Sequence, residues 1–162
     1  MDAITPTDSA PIRLRVAVEA DGPAITDVWE RAVRATHTFL SEQDIAGFLP
    51  KIQDEYLPAV EVIVAVDELD RPTGFIGVDG SHIQMLFVDP DLHRSGIGTA
   101  LLERVIRERG ALTVDVNEQN PDAVDYYERR GFAQTGRSEL DTDGNPFPIL
   151  HLAQRPDEKD QA

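Results

Sequence analysis

Residues 83–102 read IQMLFVDPDLHRSGIGTALL, and this stretch decides the fold. The apolar run at 83–88 is typical of a buried strand, which Asp89 and Pro90 end. Gly96 and Gly98 then precede an apolar pattern with helical spacing. Glycines let the backbone approach a ligand closely, and the first turn of a helix has unpaired amides and a positive dipole end. The stretch therefore predicts a strand, a loop and a helix that hold an anion such as pyrophosphate.

Two other phosphate-binding loops do not fit this stretch. A P-loop needs Lys and then Ser or Thr after its last glycine, whereas Thr99 and Ala100 follow Gly98. A dinucleotide-binding fingerprint needs a third glycine or alanine, and Leu101 occupies that position. On these residues alone, an ordinary turn between a strand and a helix is an equal alternative.

The pattern on either side of this stretch predicts a mixed α/β sheet with helices on both faces. The expected order is a strand, two helices, three strands, a helix, a strand, a helix and two strands. The three strands between residues 60 and 88 have short connections, which favours an antiparallel meander. Ser41 is expected to cap the second helix, and Pro50 to break it.

A second informative stretch lies at 120–132 and reads NPDAVDYYERRGF. It resembles a motif of the GNAT superfamily of acyl-CoA-dependent N-acetyltransferases, which reads Asn-x-x-Ala-x-x-aromatic-Tyr-x-x-x-Gly-Phe. The matching residues are Asn120, Ala123, Tyr126, Tyr127, Gly131 and Phe132. The earlier loop, His93-x-x-Gly96-x-Gly98, resembles the superfamily's acyl-CoA loop, although His93 stands where Gln or Arg is usual. The resemblance covers residues 12–153, and the order of elements agrees.

A narrower resemblance is to the bacterial YjaB-like branch of this superfamily. It rests on ATHTFL at 35–40, VNEQN at 116–120 and TGRSE at 135–139. The superfamily resemblance implies a single GNAT-like domain at 12–153, while polar composition predicts a flexible leader at 1–11 and a flexible tail at 154–162. It implies a fold and a donor, but it does not identify the acceptor.

The resemblance also implies an acetyl-CoA site. The mostly antiparallel sheet is expected to splay at this site, where a bulged strand offers its backbone to the pantetheine arm. The residues expected to contact acetyl-CoA are Leu86, Phe87, Val88, His93, Arg94, Ser95, Gly96, Ile97, Gly98, Thr99, Asn120 and Tyr127. Tyr127 is the expected general acid for the leaving thiolate, although an aromatic residue on a helix also suits core packing.

The acceptor amine must lose a proton, and His82 is the first candidate for the base because imidazole titrates near neutrality. His37 is the rival, and Gln84 is expected to orient a water. Trp29, His37, Phe39 and Gln84 are the expected acceptor-binding residues, with core packing as the alternative for the aromatic side chains. Arg129 and Arg130 are candidates for the 3′-phosphate of CoA, and His151 is expected to be structural.

Composition limits the partners. The chain has 162 residues and a formal net charge of −15, with no run of Lys or Arg, which argues against nucleic acid and anionic membranes. The acidity favours a cationic amine or peptide as acceptor, or serves solubility alone. No cysteine is present, so thiolate zinc sites are excluded, no metal is expected, and a cytoplasmic location fits. A homodimer that pairs the last strand is compatible with the resemblance.

These observations predict an enzyme that transfers an acetyl group from acetyl-CoA to a primary amine by direct attack in a ternary complex. The alternative is a non-catalytic acyl-CoA-binding sensor or interaction module. A nucleotide-binding α/β protein is a third interpretation, and it holds only if the loop match is accidental.

Overall fold

The computed structural model describes residues 11–92 and 94–155. They form seven strands and four α-helices, in the predicted order. The strands are β1 (Arg13–Val16), β2 (Glu61–Val66), β3 (Pro72–Asp79), β4 (His82–Val88), β5 (Thr113–Asn117), β6 (Phe132–Ser138) and β7 (Ile149–Gln154). The helices are α1 (Gly22–Thr36), α2 (Glu42–Lys51), α3 (Ile97–Arg109) and α4 (Pro121–Glu128). None of the helices in the described ranges is long and apolar enough to cross a membrane.

The strands form one sheet in the order β1-β2-β3-β4-β5-β7-β6. Every neighbouring pair is antiparallel except β4 and β5, which run parallel. The predicted mixed, mostly antiparallel sheet and the antiparallel meander from β2 to β4 are therefore confirmed. β4 and β5 are joined through only two residue pairs, His82 with Thr113 and Ile83 with Val114. Beyond these pairs the two strands part, as the splayed sheet requires.

Two apolar cores lie on opposite faces of the sheet, because side chains along a strand alternate between its faces. One core joins α3 and α4 to the sheet through Leu101, Leu102, Val105, Val114 and Tyr127. The other joins α1 and α2 to the sheet through Val28, Trp29, Ile45 and Phe75. The helices thus cover both faces, as expected.

The start of α2 follows its sequence signal, but its end does not. Ser41 Oγ accepts a hydrogen bond from the Asp44 amide, and the Asp44 carboxylate accepts one from the Ser41 amide. The expectation that Pro50 breaks α2 is wrong, because the helix continues through Pro50 and passes into a π-helical turn at Ile52–Tyr56. Pro50 has no amide hydrogen to donate to the Ala46 carbonyl, and the α-helical pattern gives way to the π-helical turn two residues later.

The expected domain boundaries at residues 12 and 153 stay a prediction. Residues 1–10 of the expected leader and residues 156–162 of the expected tail lie outside the described residues. Gln154, the first residue of the expected tail, pairs with Phe132 in the sheet, and the Arg155 amide donates to the Gly131 carbonyl. The sheet therefore extends to residue 154.

Candidate active site

A bulge in β4 lies at the point where β4 and β5 part. Gly77 of β3 pairs with Met85 and Val78 pairs with Ile83, so Gln84 has no partner in β3. A bulge bends its strand and increases the local twist. After it, Leu86, Phe87 and Val88 pair with β3 on one side only, so their other edge faces the gap.

The loop before α3 has the geometry of an anion cradle. Gly96 has φ = 90°, a left-handed conformation that favours glycine. The first bond of the helix runs from the Ala100 amide to the Gly96 carbonyl, so the amides at 97–99 precede the helical ladder. Arg94 also has a positive φ of 70°. His93 lies outside the described residues, and its expected contact stays a prediction.

Arg130 brings a positive charge to this helix end. Its guanidinium lies over the Tyr126 ring at 3.6 Å and donates to the Tyr126 carbonyl and to Thr99 Oγ1, each at 2.9 Å. Arg129 instead pairs with Asp125 on the exposed face of α4. Of the two arginines considered for CoA, Arg130 is the one that lies beside the loop.

Tyr127 is buried on the inner face of α4. Its ring packs edge-on against Tyr126 and Phe132, with centroids 5.2 Å apart in each case. Burial raises the pKa of the Tyr127 phenol well above its usual value, and the Tyr126 hydroxyl adds to the effect. The phenol is therefore protonated at neutral pH, as a general acid must be. Asn120 begins the same helix, where its Oδ1 accepts from the Ala123 amide at 3.4 Å.

A cleft of about 540 Å³ lies over the diverging strands. Its walls are α1, α2 and the π-helical turn on one side, and β4 to β7 with the loop at 139–148 on the other. The acidic and basic side chains among its lining residues are Asp79, Asp115, Asp141, Asp143, His37 and His151. No lysine or arginine lines it within residues 11–92 and 94–155.

Three of the four predicted acceptor-binding residues line this cleft: Trp29, His37 and Gln84. Phe39 lies behind it, where its ring contacts the rings of His37 and Phe147. Burial lowers the pKa of His37, which favours the neutral imidazole.

His82 is held between two residues of β5. Its Nδ1 lies 2.6 Å from Thr113 Oγ1, and its Nε2 lies 3.5 Å from Asp115 Oδ2. Among the described residues, those that line the cleft do not include His82. Its role as the base stays a prediction.

Sequence reasoning gave no role in the site to several polar residues that line the cleft, among them Asp115, Asn117, Ser138 and His151. His151, expected to be structural, lines the cleft and lies 2.7 Å from both Asp115 Oδ1 and Ser138 Oγ. Asn117 Oδ1 is buried without a hydrogen-bond partner in the described part of the chain. The sequence signal that could have indicated His151 is the alternation along β7. Leu150 and Leu152 face the core, so His151 faces the opposite side of the sheet.

The sequence matches the Acetyltransferase (GNAT) domain family over residues 26–148. It is 41% identical over 141 residues to the peptidyl-lysine N-acetyltransferase YjaB of Salmonella typhimurium, covering 87% of this chain and 97% of that protein. The solution structure of apo YjaB from Escherichia coli superposes with a TM-score of 0.84 at 38% identity, covering 91% and 100% of the two chains. A Thermoplasma acidophilum PaiA N-acetyltransferase in complex with coenzyme A shares the fold at 19% identity and a TM-score of 0.72, covering 90% and 99%.

The chain therefore belongs to the GNAT family of acetyltransferases. It is an N-acetyltransferase that transfers an acetyl group to an amine, and the GNAT fold uses acetyl-CoA as the donor.

Proposed function

We propose that the chain acetylates lysine side chains of peptides or proteins by direct attack of the amine on acetyl-CoA while both substrates are bound. The observation that carries this proposal is the cleft beside the β4–β5 gap. In the part of the chain that the structure describes, four aspartates and no lysine or arginine line it. Such a cleft attracts a cation.

The shape and chemistry of the cleft suit a lysine side chain. Trp29, Phe87 and Phe147 supply aromatic surface for the aliphatic stem, while the ammonium gains from the carboxylates and from aromatic faces. The relatives in Salmonella typhimurium and Escherichia coli are named peptidyl-lysine N-acetyltransferases, which supports the same acceptor class.

The donor occupies the gap and the adjoining end of α3. The amides of Ile97, Gly98 and Thr99 bind the pyrophosphate, and the open backbone edge of residues 86–88 pairs with the pantetheine arm. The fit is supported at Gly96, whose positive φ of 90° favours glycine directly before these amides. Arg94 and Arg130 add positive charge outside the amides.

The chemistry needs a nucleophile, a leaving group and two proton transfers. The neutral amine attacks the thioester carbonyl, whose developing oxyanion is stabilised by a backbone amide near Val88. The carbon–sulfur bond breaks, Tyr127 gives its proton to the thiolate, and the remaining extra proton of the attacking nitrogen restores the Tyr127 phenol. The buried Asn117 Oδ1 needs an N–H donor, which the attacking amine or the pantetheine amide supplies.

The test is acetylation of a blocked Gly-Gly-Lys-Gly-Gly peptide, followed by thiol release and by mass spectrometry. We expect acetylation of the ε-amine. Asp79→Asn should raise the KM for this peptide several-fold without changing the KM for acetyl-CoA, because Asp79 faces the acceptor cleft. The matched control is Glu103→Gln, an exposed change on α3. Acetyl-CoA binding without acetylation of any lysine peptide would refute the proposal.

A further inference from the structure

A chain of polar contacts crosses the floor of the cleft from β4 to β6. Thr113 and Asp115 hold the two ring nitrogens of His82, and Asp115 also contacts His151, which in turn contacts Ser138. The sheet order makes this possible, because it places β7 between β5 and β6. Asp115 and His151 are register partners on adjacent strands, so their side chains share one face.

The contacts fix which nitrogen of His151 carries the proton. A carboxylate only accepts hydrogen bonds, so Asp115 Oδ1, at 2.7 Å, requires a proton on His151 Nδ1. In the neutral ring Nε2 is then bare, and the Ser138 hydroxyl, also at 2.7 Å, must donate to it. The basic nitrogen of His151 therefore faces Ser138, and both residues line the acceptor cleft.

His82 has the same kinds of partner, a hydroxyl at Thr113 and the carboxylate of Asp115. The described residues that line the cleft include neither His82 nor Thr113. His151 and Ser138 both line it, so their hydroxyl–imidazole pair is the one that an acceptor in the cleft can reach. The His151 side chain is also 37% exposed, which gives the proton a way out to water.

We infer that Ser138, His151 and Asp115 form the relay that takes the proton from the acceptor ammonium; this inference rests on the proposed function. Bridging water accepts a hydrogen bond from the ammonium and carries its proton to the Ser138 oxygen. The Ser138 hydroxyl proton moves to His151 Nε2 at the same time. Asp115 stays ionised and stabilises the imidazolium, which later releases its proton to water, so one proton leaves per turnover.

The same three-residue geometry activates serine nucleophiles in hydrolases. Here the serine lies on β6, three strands from β4 in the sheet, whereas the donor site is at the β4–β5 gap. At that separation Ser138 does not attack the thioester, and it exchanges a proton with the acceptor amine through bridging water.

Several other charged or titratable groups surround the relay, and the experiments must keep them unchanged. They are His82 from β4, Asp79 from β3, His37 at the end of α1, Tyr56 from the π-helical turn, and Asp141 and Asp143 from the loop after β6.

The kinetic test compares two blocked peptides that differ in the basicity of one amine. One contains lysine, and the other contains S-aminoethylcysteine, whose amine is less basic and needs less help to lose its proton. For His151→Asn we expect kcat/KM to fall about 100-fold on the lysine peptide and much less on the other peptide. A merely structural defect would lower both equally, and that result would overturn the inference.

Thr135→Val is the matched control. Thr135 Oγ1 donates to the backbone carbonyl of His151 and does not contact its ring, so this variant disturbs the same strands without touching the relay. We expect its activity to stay within a few-fold of the wild type. If His82→Gln, and not His151→Asn, shows the amine-dependent defect, the base is His82 and the inference is wrong. A covalent acetyl group on Ser138 after incubation with acetyl-CoA would also overturn it.

Nitrogen-15 NMR of the histidine rings tests the relay independently of any acceptor. We expect neutral His151 in the wild-type protein to carry its proton on Nδ1, and Asp115→Asn to disturb this preference. A proton on Nε2 in the wild type would contradict the inference, even if neither peptide is acetylated. Failure of the proposed function and failure of the relay are thereby distinguishable.

Discussion

Tyr127 combines a packing role with a chemical one, because its ring is part of a core while its phenol has a raised pKa. Tyr127→Phe keeps the ring and removes only the hydroxyl. We expect kcat to fall about 100-fold, with the Kd for CoA nearly unchanged. Rapid-mixing assays of thiol release and calorimetry with CoA measure the two quantities. Turnover equal to the wild type at every pH would refute the assignment.

Asp21 shows how a single carboxylate ties the first strand to the first helix. Arg15 donates two hydrogen bonds to it, at 2.8 and 3.0 Å, and the Val18 amide donates a third. The Arg15 bonds lower the pKa of Asp21, and the Val18 amide adds to them, against the opposing effect of burial. A lowered folded-state pKa means that this stabilisation is present above the ordinary pKa of about 4 and is lost as the pH falls.

We therefore expect Asp21→Asn to lower the Tm at pH 7, and the difference from wild type to shrink in acid. Thermal unfolding across a pH series measures this. Asp70→Asn is the control, since Asp70 bonds the same Arg15 but is more than half exposed, and its effect should be smaller. A Tm difference independent of pH would contradict the argument.

At the scale of elements, the loop before α3 depends on one glycine more than on the other. Gly96 has a positive φ, whereas an added Cβ at Gly98 would meet ordinary neighbours at 3.4 Å and beyond. We expect Gly96→Ala to cost about 1–2 kcal/mol of unfolding free energy. It should also weaken CoA binding about tenfold, the equivalent of one hydrogen bond to a charged group.

Gly98→Ala serves as the comparison for the same loop and should have a smaller effect on unfolding. Denaturant unfolding and calorimetry with CoA measure both variants. If Gly98→Ala destabilises the protein more than Gly96→Ala, the assumed backbone geometry of the loop is wrong.

The elements also show what a sequence can predict. The loop between β4 and α3 and the start of α4 are local features, so the residues at 83–102 and 120–132 were sufficient to predict where these elements lie. Which of Arg129 and Arg130 lies beside the loop could not be predicted from neighbouring residues. It depends on how α4 is rotated against α3. The cleft residues Asp115, Ser138 and His151 lie far apart in sequence. Only the strand order and register bring them together.

At the scale of the molecule, the net charge of −15 acts in opposite directions on the two substrates. The acidic surface attracts a cationic peptide and repels the polyanionic donor, and salt screens both effects. From low to moderate salt we expect the KM for a lysine peptide to rise and the KM for acetyl-CoA to fall. Initial rates over a salt series test this. Equal salt dependence for both substrates would mean that the charge serves solubility alone.

The short contact between β4 and β5 has a consequence for how the substrates influence each other. Only two residue pairs join β1–β4 to the other three strands, so the sheet consists of two halves connected at one end. In the proposed function the donor fills the space between the halves, and the cleft proposed for the acceptor takes residues from both of them. A donor that fixes the halves should therefore increase the affinity for the acceptor. Thermodynamic linkage then requires the acceptor to increase the affinity for the donor by the same factor.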